Sequence, residues 1–173
     1  GRPKGVAMNH GPVTNLIQWQ QENTTLSQPA NTIAYASLSF DVSYQEIFFT
    51  LSSGGTLLFT SDDQRLDTAA LTRLIDEKQA ERLFAPFVIL QHLAQEYQQQ
   101  GKYPAHLKEV ITAGEQLQIT PPIRNLFINL PECTLHNQYG PSETHVATAL
   151  TLDKSAQEWP LLPSIGKPIT NSS

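Results

Sequence analysis

The chain predicts an α/β fold, a largely parallel sheet with flanking helices, and three observations predict it. Short apolar runs of strand length alternate with segments of helical periodicity, the pattern of βαβ units. With 173 residues, 39% hydrophobic and 16% charged, the chain is long enough to bury a real core within one domain or a large part of one. The residues of most chemical interest fall just past the ends of predicted strands, where open α/β sheets bind ligands.

The elements follow in order. Val13, Leu16 and Ile17 give a helical stripe ending near Glu22, and residues 33–38 form a short apolar strand. Ser43-Tyr44-Gln45-Glu46 has capping-box spacing, so a helix starts there and runs toward Leu51. Gly54-Gly55 ends it, and Thr56-Leu57-Leu58-Phe59 is the next strand. Leu66, Leu71, Leu74 and Ile75 read as one amphipathic helix. Leu83-Phe84-Ala85 is a strand ending at Pro86, followed by a helix with Ile89, Leu90, Leu93 and Ala94 inward. Residues 107–112 form a strand, and 121–130 a Pro-initiated helix with Thr120 as its N-cap. Residues 135–138 form a strand leading into a turn, 146–152 another strand, and 153–167 a Pro-rich loop.

Charge and composition exclude several function classes. A net charge of −5 with no block of Lys and Arg argues against a nucleic-acid partner. No apolar run approaches the roughly 20 residues of a membrane span, and no signal-peptide pattern opens the chain. Cys133 is the single cysteine, which excludes an internal disulfide and fits a reducing cytoplasm. His10, His92, His106, His136 and His145 show no metal-ligand spacing.

The densest chemistry lies in His136-Asn137-Gln138-Tyr139-Gly140-Pro141-Ser142-Glu143-Thr144. The Asn137 amide offers a donor and an acceptor to a nucleobase edge, and Tyr139 a ring to stack on one. Glu143 is an oxygen ligand of the kind Mg²⁺ takes when it also holds substrate phosphates. Gly140-Pro141 forces a turn that holds these side chains on one rim. The plain alternative is a surface turn, with Glu143 favoured by a helix N-terminus.

This stretch resembles a core motif of adenylate-forming enzymes, in the version carried by amino-acid adenylation domains of nonribosomal peptide synthetases. Further matches occur in the family's order: Gly1-Arg2-Pro3-Lys4-Gly5, similar to the tail of its glycine-rich phosphate loop; Phe40-Asp41-Val42-Ser43; Val110-Ile111-Thr112-Ala113-Gly114-Glu115-Gln116-Leu117; and Ile165-Gly166-Lys167-Pro168-Ile169. The resemblance spans nearly the whole chain and implies part of the large N-terminal domain of such an enzyme. It implies ATP and Mg²⁺ as cofactors, an amino-acid substrate, and a peptidyl carrier domain whose phosphopantetheine arm receives the activated amino acid.

Residue roles are carried over by motif. Asn137, Gln138, Tyr139 and Gly140 would hold the adenine, with Gly114, Glu115 and Gln116 passing along adenine and ribose. Ser142, where most relatives have Thr, would contact phosphate, and Glu143 would hold Mg²⁺. Asp41 would pair with the substrate's α-ammonium, a charge-assisted contact that rejects acids lacking the amine. Helix capping is the competing role for Asp41, but Ser43 and Glu46 supply the capping box and leave it free. Phe40, Val42, Gln45, Phe87, Ile111, Ala113, Gln138, Val146 and Ala147 would line the rest of the substrate pocket. This lining holds no charge beyond Asp41, so the implied guest is a small-to-medium apolar amino acid, proline first; Gln138 departs from the His usual in proline-activating relatives.

The chain has no initiating Met, opens inside the phosphate loop and closes on Thr170-Asn171-Ser172-Ser173. The expectation is that residues 1–173 are an adenylation domain truncated at both ends, lacking the family's small C-terminal domain and inactive alone. The rival readings are a carboxylate–CoA ligase, which shares the nucleotide motifs but not Asp41, and a non-catalytic nucleotide-binding module.

Overall fold

A computed structural model describes residues 5–26, 29–152 and 155–172. The phosphate-loop match at Gly1-Arg2-Pro3-Lys4 therefore lies outside the described residues, Gly5 excepted. The elements run α1 (His10–Asn23), β1 (Asn31–Ala34), α2 (Val42–Ser52), β2 (Thr56–Phe59), α3 (Asp62–Leu66), α4 (Thr68–Glu77), β3 (Arg82–Phe84), α5 (Phe87–Gln100), β4 (Glu109–Thr112), α6 (Pro121–Ile128), β5 (Thr134–Tyr139), β6 (Thr148–Leu152), a 3₁₀ turn (Ala156–Glu158) and β7 (Lys167–Pro168).

The strands form one sheet in the order β2-β1-β3-β4-β5-β6-β7. The five from β2 to β5 are parallel, while β6 and β7 each pair antiparallel to their neighbour. Parallel neighbours need crossovers, and helices supply them. The chain steps one way from β1 to β2 through α2, then back across β1 to β3 through α3 and α4. Right-handed crossovers running in opposite directions lie on opposite faces of a sheet. The packing agrees: α1 and α2 bury Ile17 and Phe49 against Phe84 and Ile111, whereas α4, α5 and α6 pack on Leu83, Val110 and Leu135. The order therefore reverses between β1 and β3, opening a switch-point crevice at their carboxyl ends.

Several sequence expectations are corrected. The strand predicted over 33–38 ends at Ala34, because the Glu46 carboxylate takes the backbone N–H groups of Tyr35 and Ala36 away from the ladder. That same bond removes Glu46 from its expected capping box: Ser43 Oγ donates to Phe40 O at 2.7 Å, and α2 starts without a side-chain cap. The capping box that does form joins Ser61 and Gln64 at α3. The single helix expected through Leu66 and Ile75 is two helices, split at Asp67, whose Oδ1 accepts from Ala69 N and Ala70 N to begin α4. Leu66 is consequently 87% exposed instead of inward. The loop expected to reach Lys167 contains the 3₁₀ turn, and its last residue opens β7, too short for periodicity to reveal. Thr120 does cap α6, accepting from Ile123 N. Among the described residues no helix is long and apolar enough to cross a membrane.

Candidate functional site

Four segments singled out from the sequence lie at the carboxyl edge of the sheet. Phe40 and Asp41 follow β1 after a short connection, Ala85-Pro86-Phe87 follows β3, Ala113-Gly114-Glu115-Gln116 follows β4, and Gly140 follows β5. The first two flank the switch point. The chain turns at Ser37–Phe40 through Phe40 N donating to Ser37 O, then enters α2 with Asp41 already helical at φ −61°, ψ −33°. The Asp41 carboxylate makes no capping hydrogen bond. Phe40 is 66% exposed.

The α1/α2 face brings several predicted lining residues together. Val42 packs against the cluster of Ile17, Phe49, Phe84 and Ile111. Gln45 and Gln138, 93 residues apart in sequence, meet in a buried contact in which Gln45 Nε2 donates to Gln138 Oε1 at 2.8 Å. Val146 is buried with Leu16 and Ile169, and Ala147 N donates to Tyr139 O at 2.8 Å. Phe87 is not brought to this group: it stands at the start of α5 and packs against the core of the opposite face. Ala113 is half-buried, and Gly114, Glu115 and Gln116 are exposed, Gly114 at φ +87° with open space around it.

The signature turn joins β5 to β6. Residues 135–139 alternate across the sheet, so Asn137 and Tyr139 share one face and His136 and Gln138 the other. Asn137 is buried and donates from Nδ2 to Ser164 O at 2.8 Å, which pins the following loop; Tyr139 is 51% exposed. A Cβ on Gly140 would lie 1.6 Å from His145 O, so the turn closes only around glycine. Thr144 N donates to Pro141 O at 3.0 Å, and His145 sits at φ 55°. Ser142 and Glu143 project from this turn, both exposed. Among the described residues no group of three or more His, Cys, Asp or Glu could hold a metal. A lone exposed carboxylate suits Mg²⁺ only in its usual phosphate-sharing mode, which takes one or two protein carboxylates.

Beneath the lining runs a charge network that sequence reasoning missed. Arg82 Nε donates to Glu109 Oε2 at 2.5 Å, and Thr24 Oγ1 donates to Glu109 Oε1 at 2.8 Å. Arg82 Cζ stacks 4.1 Å from the centre of the Phe49 ring. His136 Nε2 lies 3.1 Å from Glu109 Oε1 but off the hydrogen-bonding direction, while His136 Nδ1 is 3.1 Å from Thr151 Oγ1. Burial alone would raise the Glu109 pKa; the contacts and charges of His136 and Arg82 outweigh it and hold the carboxyl at about 2. Arg82 and Glu109 lie 27 residues apart, and strand spacing alone does not say which faces coincide. Cys133 is buried and its thiol is pushed up by that burial, as expected of an inert side chain. It lines a separate pocket of about 280 Å³ with Phe127, Leu152 and Trp159, near the opposite ends of β5 and β6.

Comparison with known proteins agrees with this arrangement. The model of the AMP-binding enzyme family matches residues 1–173. The chain is 40% identical over 172 residues to tyrocidine synthase 2 of Brevibacillus parabrevis, covering 99% of this chain and 5% of that protein. It is 39% identical over 172 residues to gramicidin S synthase 2 of Brevibacillus brevis, covering 99% and 4%. The crystal structure of the nonribosomal peptide synthetase FmoA3 in its AMPPNP-bound form shares the fold, with a TM-score of 0.86 at 23% identity over 99% of this chain and 18% of that one. PA1221, a nonribosomal peptide synthetase protein containing adenylation and PCP domains, superposes with a TM-score of 0.80 at 28% identity over 98% of this chain and 28% of that one. The chain thus spans a small fraction of each relative. Matched along its full length, it belongs to the AMP-binding enzyme family.

Proposed function

We propose that these residues form part of the large domain of an amino-acid-adenylating ligase of nonribosomal peptide synthesis. The observation that carries this reading is the contact between Gln45 and Gln138, which joins the segment of Asp41 to the strand of the nucleotide motif. That contact supports a single site built from two motifs far apart in sequence.

In the reaction, a carboxylate oxygen of the amino acid attacks the α-phosphorus of ATP. The bond from that phosphorus to the bridging oxygen breaks, and pyrophosphate leaves. Positioning dominates such in-line transfers. The Asp41 carboxylate accepts from the substrate ammonium. Asn137 and Tyr139 orient the adenine, with Gly114 allowing close approach of the 114–116 backbone. Ser142 Oγ donates to phosphate, and Glu143 would hold Mg²⁺, which supplies neutralising charge to the phosphates when bound. The activated amino acid would then pass to the phosphopantetheine thiol of a peptidyl carrier domain. Gln45 and Gln138 hydrogen-bond one another and bring no charge to the lining, which favours a small or medium apolar side chain, proline first.

Amino-acid-dependent ATP–pyrophosphate exchange by the full-length protein tests the proposal, over proline, leucine, valine, glutamine and aryl acids. Exchange highest with proline, falling at least about a hundredfold on Asp41→Ala, is the expected result, since the charge-assisted contact to the substrate ammonium is lost. Preference for another apolar amino acid keeps the class and discards proline. Exchange with acids lacking the amine, indifferent to Asp41→Ala, overturns the reading in favour of a carboxylate–CoA ligase.

A further inference from the structure

Three buried glutamines from three elements meet behind the proposed substrate pocket: Gln20 on α1, Gln45 on α2 and Gln138 on β5, each no more than 3% exposed. Gln45 Nε2 donates to Gln20 Oε1 at 2.5 Å and to Gln138 Oε1 at 2.8 Å. From this geometry we propose that Gln20, which no sequence motif marked, is a positioning residue for substrate selection: it fixes which way the Gln45 amide faces, and through Gln45 it fixes Gln138. The inference rests on the adenylation reading above.

An amide nitrogen carries two N–H groups, and here both are committed. Gln45 therefore has no donor left for a ligand, and its Oε1 with the Nε2 groups of Gln20 and Gln138 are the amide atoms these two bonds do not engage. A pair of facing amides alone has two orientations of similar energy, with donor and acceptor exchanged. A third amide presenting its oxygen to Gln45 biases that choice: turning Gln45 alone would set oxygen against oxygen at Gln20 and at Gln138, so all three amides must turn together. Gln20 is placed to do this by α1, whose Leu16 and Ile17 are buried against the sheet face that carries Gln138. Trp19, Gln20 and Gln138 line one crevice together with Glu109 and His136, so Gln20 reaches the network from behind the pocket. Helix α1 would thus shape selectivity at one remove, without touching substrate.

The test uses the full-length protein and compares wild type, Gln20→Met, Gln45→Met and the double variant in amino-acid-dependent ATP–pyrophosphate exchange. Methionine keeps the length and removes the amide. The expected result is a KM for the amino acid raised about tenfold in Gln20→Met, with altered ranking among amino acids and a KM for ATP changed less than about twofold. The same substitution should add little in the Gln45→Met background, since the residue acts through Gln45. An unchanged amino-acid KM and ranking overturns the proposal. So does a parallel rise in both KM values with a lowered melting temperature and the same penalty in both backgrounds, the pattern of a merely structural residue. Wild-type protein that exchanges with no amino acid removes the adenylation reading, and the proposal falls with it.

Discussion

Glu46 offers a test of how the Asp41 segment is held. Its carboxylate, 1% exposed, accepts from Tyr35 N at 3.0 Å and from Ala36 N, tying α2 to the chain that leads from β1 to Phe40 and Asp41. Burial pushes its pKa up from 4.5 to about 7, against the opposing pull of those two N–H groups and of the Arg65 charge. The folded state thus binds this proton more tightly than the unfolded chain does. Its stabilisation is full below about pH 4.5, declines as pH rises, and is lost above about pH 7. The shift corresponds to about 3 kcal/mol in total, of which roughly three quarters falls between pH 5 and pH 8, or about seventyfold in local opening. Hydrogen exchange of a peptide covering residues 35–46 in the full-length protein, corrected for intrinsic chemistry, reads this directly. Protection should fall by that factor in wild type and stay flat in Glu46→Gln, which keeps an acceptor oxygen and cannot ionise. Parallel profiles for the two proteins would refute the reasoning. Protection that rises with pH in wild type would refute it too, by showing that charge-assisted bonding outweighs burial.

Glu109→Gln leaves the buried Arg82 without its counter-charge and should cost on the order of 3 kcal/mol, read as a lowered thermal midpoint; Arg82→Met added to it should recover part of the loss. Because the Glu109 pKa is depressed to about 2, its own contribution is present above the usual carboxylate range and drains away as pH falls from about 4.5 toward 2, so an acid titration of stability should be shallower in Glu109→Gln. Gly140→Ala drives a methyl into His145 O and must displace the turn carrying Ser142 and Glu143. It should cost at least about 2 kcal/mol and abolish exchange activity, measured by melting and by ATP–pyrophosphate exchange.

Much of the architecture was legible because parallel strands and their crossover helices write their periods plainly. The helix around Val13, Leu16 and Ile17, the Pro-initiated helix capped by Thr120 and the strand before the signature turn all lie where the pattern puts them. The failures share one cause, side-chain hydrogen bonds to backbone that periodicity does not announce. Ser43 and Glu46 have the spacing of a capping box, but a buried carboxylate gains more from two strand-end N–H groups than from its own helix start. Leu66 fits a helical stripe, yet Asp67 caps a new helix immediately after it. For the candidate site, motif order singled out Asp41, Gln45 and Gln138, but the amide joining the last two to α1 was invisible, since a lone Gln20 on a polar helix carries no local signal. Phe87 shows the converse: its place in the motif order is clear, and its packing lies with the opposite core.

The reversal of strand order between β1 and β3 also divides labour between the two sides of the sheet. The α4–α6 side is an almost wholly aliphatic and aromatic mass, whereas the buried charges among the described residues, Arg82, Glu46 and Glu109, belong to the α1–α2 side along with the three glutamines. Anyone redesigning selectivity inherits that asymmetry. One side can be repacked as ballast for sturdiness, while the other is an instrument whose tuning pegs reach back to α1 through Gln20.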